Sequence, residues 1–599
     1  MKYAKWIGCL LMTAPIVPAS AAPVRSLPER LGAHVLVFNA KMPLKQIQAR
    51  VDAVARRQIS NQFGPERYAL LFEPGTYGSP THPLNIQVGY YTQVSGLGAA
   101  PDGVVIHGAV QVRNQCFKGQ CGALDNFWRS LSNLTIQVSA AGSGCESGEI
   151  WAVSQAAPMR RVRVLGGELK LTDSCTKPSY ASGGFIADSQ FDRTAKNGGQ
   201  QQFLVRNSDI QGWSNGSWNQ VFAGVRGAPG QCFPAQASCG GPYTTLAASP
   251  VIREAPFLFV DSRHRYQVFV PGAEKNLAGT SWSGRSAPGQ ILAIDSFYVA
   301  SPADSAASIN TALGRGKNLI FTPGVYHLRE SIAVQRPDTV VLGLGLATLV
   351  PDGGVIPMTV GAAQGVSISG ILFDAGESNS PELLRVGVPG VHIDASNDPT
   401  TLHDVFFRIG GATPGRATVS LVVNSDDVIL DDIWAWRADH GQFVGWTTNT
   451  ADTGLIVNGN NVTAYGLFVE HYQKTEVIWN GNNGTDIFFQ NEMPYDPPTQ
   501  AAWRESPDVE GFLAFKVGEA VTRFHGYGMG SYCYFNQGVA IYASDAFEVP
   551  SALPPGSLQN LFTIFLAAGS GGIRNVINHQ GGSYTAGNPH GPVTVPSYP

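Results

Sequence analysis

An all-β chain folded as two single-stranded, right-handed parallel β-helices in tandem is what this sequence predicts, on three observations. The phrase "LLFEPGTYG" at 70–78 returns as "LIFTPGVYHL" at 319–328, so the chain carries an internal duplication. Short β-branched runs recur at roughly 20 to 30 residues, separated by Gly, Asn and Asp turns. Long helical patterns are absent between these runs, which removes the crossovers that a βαβ sheet requires.

Two further matches keep the same order and an offset of about 240 to 250 residues: "VSGLG" from Val94 with "VLGLG" from Val341, and "SLSNLTI" from Ser130 with "SISGILF" from Ser367. Each half opens on a helix-like stretch, "PLKQIQARVDAVARRQ" in the first and "DSAASINTALGRG" in the second. The runs that follow, such as "GVSISGILFDA", "DVILDDIWAW" and "NVTAYGLFVEH", suit a solenoid whose coils return by turns alone. A β-sandwich would need period-two hairpins with two-residue turns, which are sparse. The expected organisation is a signal peptide over 1–21, a first β-helix over 22–225 and an ordered crossover over 226–295. A second β-helix follows over 296–580, with a fraying tail over 581–599.

Lys2 and Lys5, an apolar run from Trp6 to about Val17 and the small residues Ala19-Ser20-Ala21 read as an export signal, so a secreted or periplasmic location is expected. The balance of 40 Lys+Arg against 44 Asp+Glu leaves a net charge of -4, without a basic run interleaved with aromatics. Nucleic acid and anionic membranes are therefore excluded as expected partners, and a neutral substrate is favoured. Cys116 with Cys121 and Cys232 with Cys239 lie in loops suited to disulfides, Cys145 with Cys175 makes a third bridge, and Cys533 is left free. No His or further Cys stands at zinc spacing beside these pairs, so no metal and no cofactor is expected. A monomer is the expected state.

Glu470 in "FVEHYQ" and Glu492 in "QNEMPYDPP" are 22 residues apart, about one coil. Coils stack at roughly 4.8 Å, so two carboxyls on neighbouring rungs can serve one site, and their repulsion keeps one protonated near neutrality. A protonated acid beside a second carboxyl is what glycosidic cleavage needs. The run "WAWRADHG" (434–441), then "VEHYQ", then "QNEMPYDPP" resembles the successive signatures of glycoside hydrolase family 55, secreted β-1,3-glucanases with a tandem, pectin-lyase-like β-helix fold. "WAVSQAAPMRRV" (151–162), "SGGF" (182–185) and "GGQQQFLVRN" (198–207) resemble that family's first-half motifs. The resemblance implies a polysaccharide substrate, inversion, Glu492 as general acid, and Glu470 with Gln155 and Ser182 around the attacking water, in a site between the halves.

Flat aromatic faces stack on pyranose rings, which nominates Trp434, Trp436, Trp446, Trp479 and Tyr495 as substrate-binding residues, together with Asp439, His440 and Gln202. "NSDD" (424–427) and "DHG" (439–441) raise an alternative, a polygalacturonase- or lyase-like helix for acidic polysaccharide, although no Arg-x-Lys partner follows "DHG". A non-catalytic carbohydrate-binding solenoid is the other alternative.

Overall fold

The computed structural model describes residue 1 and residues 27–138, 144–214, 216–566, 570–585 and 591–599; the expected signal peptide lies outside the described residues. In the first half, strands Val35–Phe38, Tyr68–Phe72, Thr92–Gly96, Arg129–Val138, Met159–Leu165, Phe185–Ala187, Gln202–Arg206, Asn219–Ala223 and Tyr243–Leu246 stack in chain order. All neighbours in this stack are parallel. The second half repeats the plan from Phe297–Ala300 to Leu558–Phe565, and a second parallel sheet from Ile332–Val334 to Phe547–Glu548 forms another wall.

The duplicated phrase has a structural cause. In each half a first strand leads into a helix, Leu44–Gln58 or Ala306–Gly314, and then into the strand that carries the phrase. The phrase's tyrosine closes the loop identically in both: the Tyr77 hydroxyl meets the Phe38 and Glu73 carbonyls at 2.9 and 2.7 Å, and that of Tyr326 meets the Ala300 and Thr322 carbonyls at 2.9 Å each. The longer helix buries Ile47, Val51 and Val54, an i, i+4, i+7 stripe. The shorter one is capped by Ser305, whose hydroxyl accepts the Ser308 N–H at 3.2 Å.

Beyond the opening coils of each half, successive main-sheet coils turn a corner at one register position. In the second half Gly370, Asp404, Asp432, Gly466, Phe488, Gly528 and Asn560 all have φ between 52° and 75°, and each falls at the gap in the ladder between successive coils. Asn133, Arg161, Asp188, Asn207 and Gly224 form the matching column in the first half, with φ between 45° and 62°. Left-handed backbone favours Gly, Asn and Asp, which accounts for much of the turn-residue recurrence in the sequence.

The corner sets which side chains face the other half. In Ile429–Arg437, Ile433 and Ala435 join the lumen core, while Trp434 and Trp436 join an aromatic seam with Tyr91, Phe127, Trp128, Phe185, Phe406 and Phe468. Both faces are buried, so the run Ile433–Trp436 is apolar without alternating, and the Asp431, Asp432 and Arg437 that flank it are buried too. Buried ion pairs lock the seam: Arg206 bridges Asp431 and Glu254, and Arg160 bridges Asp404 and Asp431, at 2.6 to 2.7 Å.

Two boundaries differ from the sequence reading, at the end of the first β-helix and at the tail, while the crossover is ordered as expected. The first helix continues to Leu246, because the Pro- and Gly-rich stretch before it is a loop closed by Cys232–Cys239 between two parallel coils. The crossover that follows is ordered as antiparallel strands, and its Leu258, Val260, Val268 and Val270 pack with Leu71, Ile320 and Leu342 from both halves. The tail is not frayed where it is described: Val593–Tyr598 pairs antiparallel with the last coil. Cys116–Cys121 and Cys145–Cys175 are also bonded, and Cys533 is free and buried.

Candidate active site

Glu470 and Glu492 end their strands and oppose each other in the parallel ladder, in a column that runs Trp436, Glu470, Glu492, Tyr532 across four coils. Both point to the seam side, and only 3% and 9% of each residue is exposed. Their hydrogen bonds draw them apart. Glu470 is held back toward the preceding coil and the first half: one oxygen accepts the Trp434 indole N–H and the other the Gln155 amide, both at 2.8 Å. Gln155 in turn accepts the Ser182 hydroxyl at 2.8 Å. Glu492 is held forward, through Oε2, by the Tyr495 hydroxyl.

Ser182 is fixed by its surroundings as well as by Gln155. The Gln490 amide, two residues before Glu492, donates to its carbonyl. Gly183 has φ 144°, and a Cβ there would stand 2.4 Å from Gln490 Oε1, so glycine permits this close approach of the halves.

These groups sit at a cavity of about 740 Å³ between the halves. Asp439 and His440 lie at its side: His440 Nδ1 is 2.9 Å from Asp439 Oδ1, and its Nε2 reaches the Gln62 side chain and faces exposed Asp125. His471, beside Glu470 in sequence, has its Nδ1 3.2 Å from the Met493 carbonyl, and its Nε2 looks toward Glu492 at 3.8 Å and Asp439 at 3.9 Å. Its backbone is left-handed at φ 70°, a strain of about 1–2 kcal/mol for a non-glycine residue, which the surrounding bonds offset. Glycan-sized room with convergent polar groups fits a saccharide site.

Burial pushes the Glu470 carboxyl well above its ordinary range, and the neighbouring Glu492 pushes it further. Burial also raises Glu492; His471 and the Tyr495 hydrogen bond oppose that rise, and Asp439 adds to it. Asp439 behaves oppositely. Burial alone would raise it, but the His440 hydrogen bond and the charges of His471 and His440 bring it down to about 2. The site thus sets two buried carboxyls that resist ionising together beside one that stays ionised, the pattern of acid–base chemistry.

Glu492, Glu470, Gln155, Ser182, Trp436, Asp439, His440 and Tyr495 are brought together around the cavity. Four residues nominated as sugar contacts are not. Trp434 is fully buried beneath the site, where its N–H serves Glu470. Trp479 stacks on Phe515 inside the lumen, because its strand belongs to the other wall. Trp446 is half-buried under the Arg437 guanidinium, 5.6 Å from the ring centroid. Gln202 is spent in the seam, donating to the Phe489 and Gly528 carbonyls and accepting from Tyr532. "NSDD" is structural: Asn424 accepts from Asn458, which accepts from Asn480, along a turn ladder away from the cavity. Sequence reasoning missed His471, Asp125, Tyr180 and Trp218, all of which line the cavity. His471 and Tyr180 each lie within two residues of a residue already singled out, the one available signal.

A family model described as the LAM55 pectate lyase-like domain matches residues 297–492. An exo-β-1,3-glucanase from Streptomyces sp. strain SirexAA-E is 47% identical over 569 residues, covering 95% of this chain and 90% of its own. The solved structure of sacteLam55A from Streptomyces sp. SirexAA-E has a TM-score of 0.88 at 47% identity, covering 95% of this chain and 99% of that one. A glutamate-to-alanine variant of sacteLam55A in complex with glucose matches with a TM-score of 0.88 at 46% identity, covering 95% and 98%. Identity at this level, sustained across both solenoids and the seam between them, means that the chain belongs to glycoside hydrolase family 55.

Proposed function

We propose that this chain is an exo-acting β-1,3-glucanase that cleaves a neutral glucan such as laminarin with inversion at the anomeric carbon. The opposed carboxyls at the cavity, with Gln155 and Ser182 of the other half beside one of them, carry the reading. The relative's activity and the glucose-bound neighbour support the substrate. Charge supports it too: among the described residues no Lys or Arg lines the cavity, so a uronate polymer finds no cation to grip.

Glu492 donates its proton to the glycosidic oxygen as the bond to the anomeric carbon breaks. Glu470 is the ionised partner, because a separate N–H donor on each oxygen satisfies a carboxylate better than an acid. A water taken up by Gln155 and Ser182 bonds to the anomeric carbon and gives its proton to Glu470. The divergent anchoring of the two carboxyls favours the separation of about 6.5 to 9.5 Å that admits this water. Three disulfides suit an oxidising compartment, and we assign the protein to the secreted or periplasmic fraction, acting as a monomer.

The test is laminarin against polygalacturonate, with and without calcium, followed by proton NMR of the first product. Laminarin should release glucose first as the α-anomer, without calcium. A β-anomer first, or turnover of polygalacturonate alone, overturns the reading.

A further inference from the structure

We propose that His471 and Tyr495 form a positioning pair that assigns the acidic proton of Glu492 to Oε1, the oxygen free to meet the substrate: Tyr495 donates to Oε2, and His471 holds Tyr495 and the Glu492 backbone in that aim. This deepens the reading above and rests on it.

The argument starts from donor geometry. The Tyr495 hydroxyl contacts Oε2, and burial together with the Glu492 charge keeps that phenol protonated. The His471 Nδ1 faces the Met493 carbonyl, which can only accept, so Nδ1 carries a hydrogen. Its Nε2 is the ring atom that faces Oε2, 3.8 Å away, with Asp439 at 3.9 Å on the other side, approaches too long to be hydrogen bonds. Among the described residues nothing donates to Oε1.

The pair is built to hold this aim. His471 brackets Glu492: its N–H donates to the Glu492 carbonyl at 2.7 Å while its ring holds the carbonyl of the next residue. The His471 carbonyl accepts from Arg437 at 3.2 Å, and Arg437 is clamped by both oxygens of Asp496 at 2.8 and 2.9 Å. The imidazole edge packs on the Tyr495 ring, with centroids 4.4 Å apart. The other groups facing Glu492 do not compete for Oε2: Glu470 is tied to Trp434 and Gln155, and the Tyr532 hydroxyl donates to Gln202.

In a carboxylic acid the carbonyl oxygen is the better acceptor, so the Tyr495 donor at Oε2 leaves the hydroxyl at Oε1. On reaction that proton passes to the glycosidic oxygen, which keeps the bonding pair from the anomeric carbon. The pair left by the O–H bond spreads over the carboxylate, and the share on Oε2 meets the Tyr495 O–H already in place.

The test uses the full chain with Tyr495→Phe, His471→Asn and, as the conservative variant, His471→Gln. Each is assayed on laminarin, whose leaving group needs a proton, and on 2,4-dinitrophenyl β-glucoside, whose leaving group does not. For Tyr495→Phe and His471→Asn, kcat on laminarin should fall by about 10- to 100-fold while that on the activated glucoside falls by less than about three-fold. The alkaline limb of kcat/KM on laminarin should move up, because both lost groups favour the Glu492 carboxylate. His471→Gln, longer than Asn and so able to fill more of the imidazole's place against Tyr495, should recover part of the laminarin loss. Equal losses on both substrates, or an unmoved limb, overturn the pair. Glu492→Gln is run alongside: if it cleaves laminarin like the parent chain, the general-acid reading falls instead.

Discussion

The two halves open with the same device and then divide the labour. Tyr77 and Tyr326 close equivalent loops, and a column of left-handed corners bends the coils of each half. The second half, however, supplies the two glutamates, on consecutive rungs of one ladder; the first supplies Gln155, Ser182 and Asp125 from loops between strands. The backbone spacing of the acids is thus set by the coil repeat, and their side-chain anchors set where the carboxyls end. The position of the water-holding groups is set by how the solenoids dock, so the seam is part of the catalytic geometry.

Breaking the division should have its largest effect on the second-half side. Replacing Glu492 by Gln should lower kcat on laminarin by about three orders of magnitude with circular dichroism unchanged, whereas Gln155→Ala should cost about ten- to a hundred-fold. Next comes the seam. Arg206 is fully buried between Asp431 and Glu254, so Arg206→Ala strands Glu254, leaves Asp431 to Arg160 alone among the arginines, and should cost about 3–5 kcal/mol. Calorimetry should resolve separate transitions for the two solenoids in that variant, and a single shifted transition would mean that they unfold as one unit.

A smaller effect separates the lumens from the surface. Asp486 is buried with neither oxygen hydrogen-bonded, and burial raises its carboxyl well above the ordinary range. The folded state therefore binds this proton more tightly than the unfolded chain does. Stability is complete below the ordinary carboxylate range and is lost as pH climbs through the raised folded value. Asp486→Asn should raise Tm little at pH 5 and more at pH 9, worth about 1–3 kcal/mol. The smallest effect sharpens the symmetry: Tyr77→Phe and Tyr326→Phe should each cost about 1 kcal/mol by denaturant titration, and unequal losses would show that the halves do not use the device alike.

Much of this was legible in the sequence because the coil imposes local rules. The left-handed corners favour Gly, Asn or Asp at a steady spacing, and a rung of 22 residues puts Glu470 opposite Glu492. What sequence could not supply is which way a side chain faces. Trp434 and Trp436 lie on one face of one strand, yet only Trp436 reaches the cavity, and Trp479 points into the lumen because its strand belongs to another wall. His471 was quoted inside its motif and passed over, since nothing in a histidine announces a left-handed backbone. The end of the first helix was misjudged because Pro and Gly mark a disulfide-closed loop within a solenoid as readily as a boundary outside it.

The strand Val593–Tyr598 has a consequence beyond the site. A stack of parallel coils ends on an open row of peptide groups able to template another chain, the route by which such edges grow into fibrils. Here the last row is covered by a strand of reversed direction, and Pro596 within it has no N–H to offer. The final rung thereby refuses a successor, and the solenoid remains an object of fixed length.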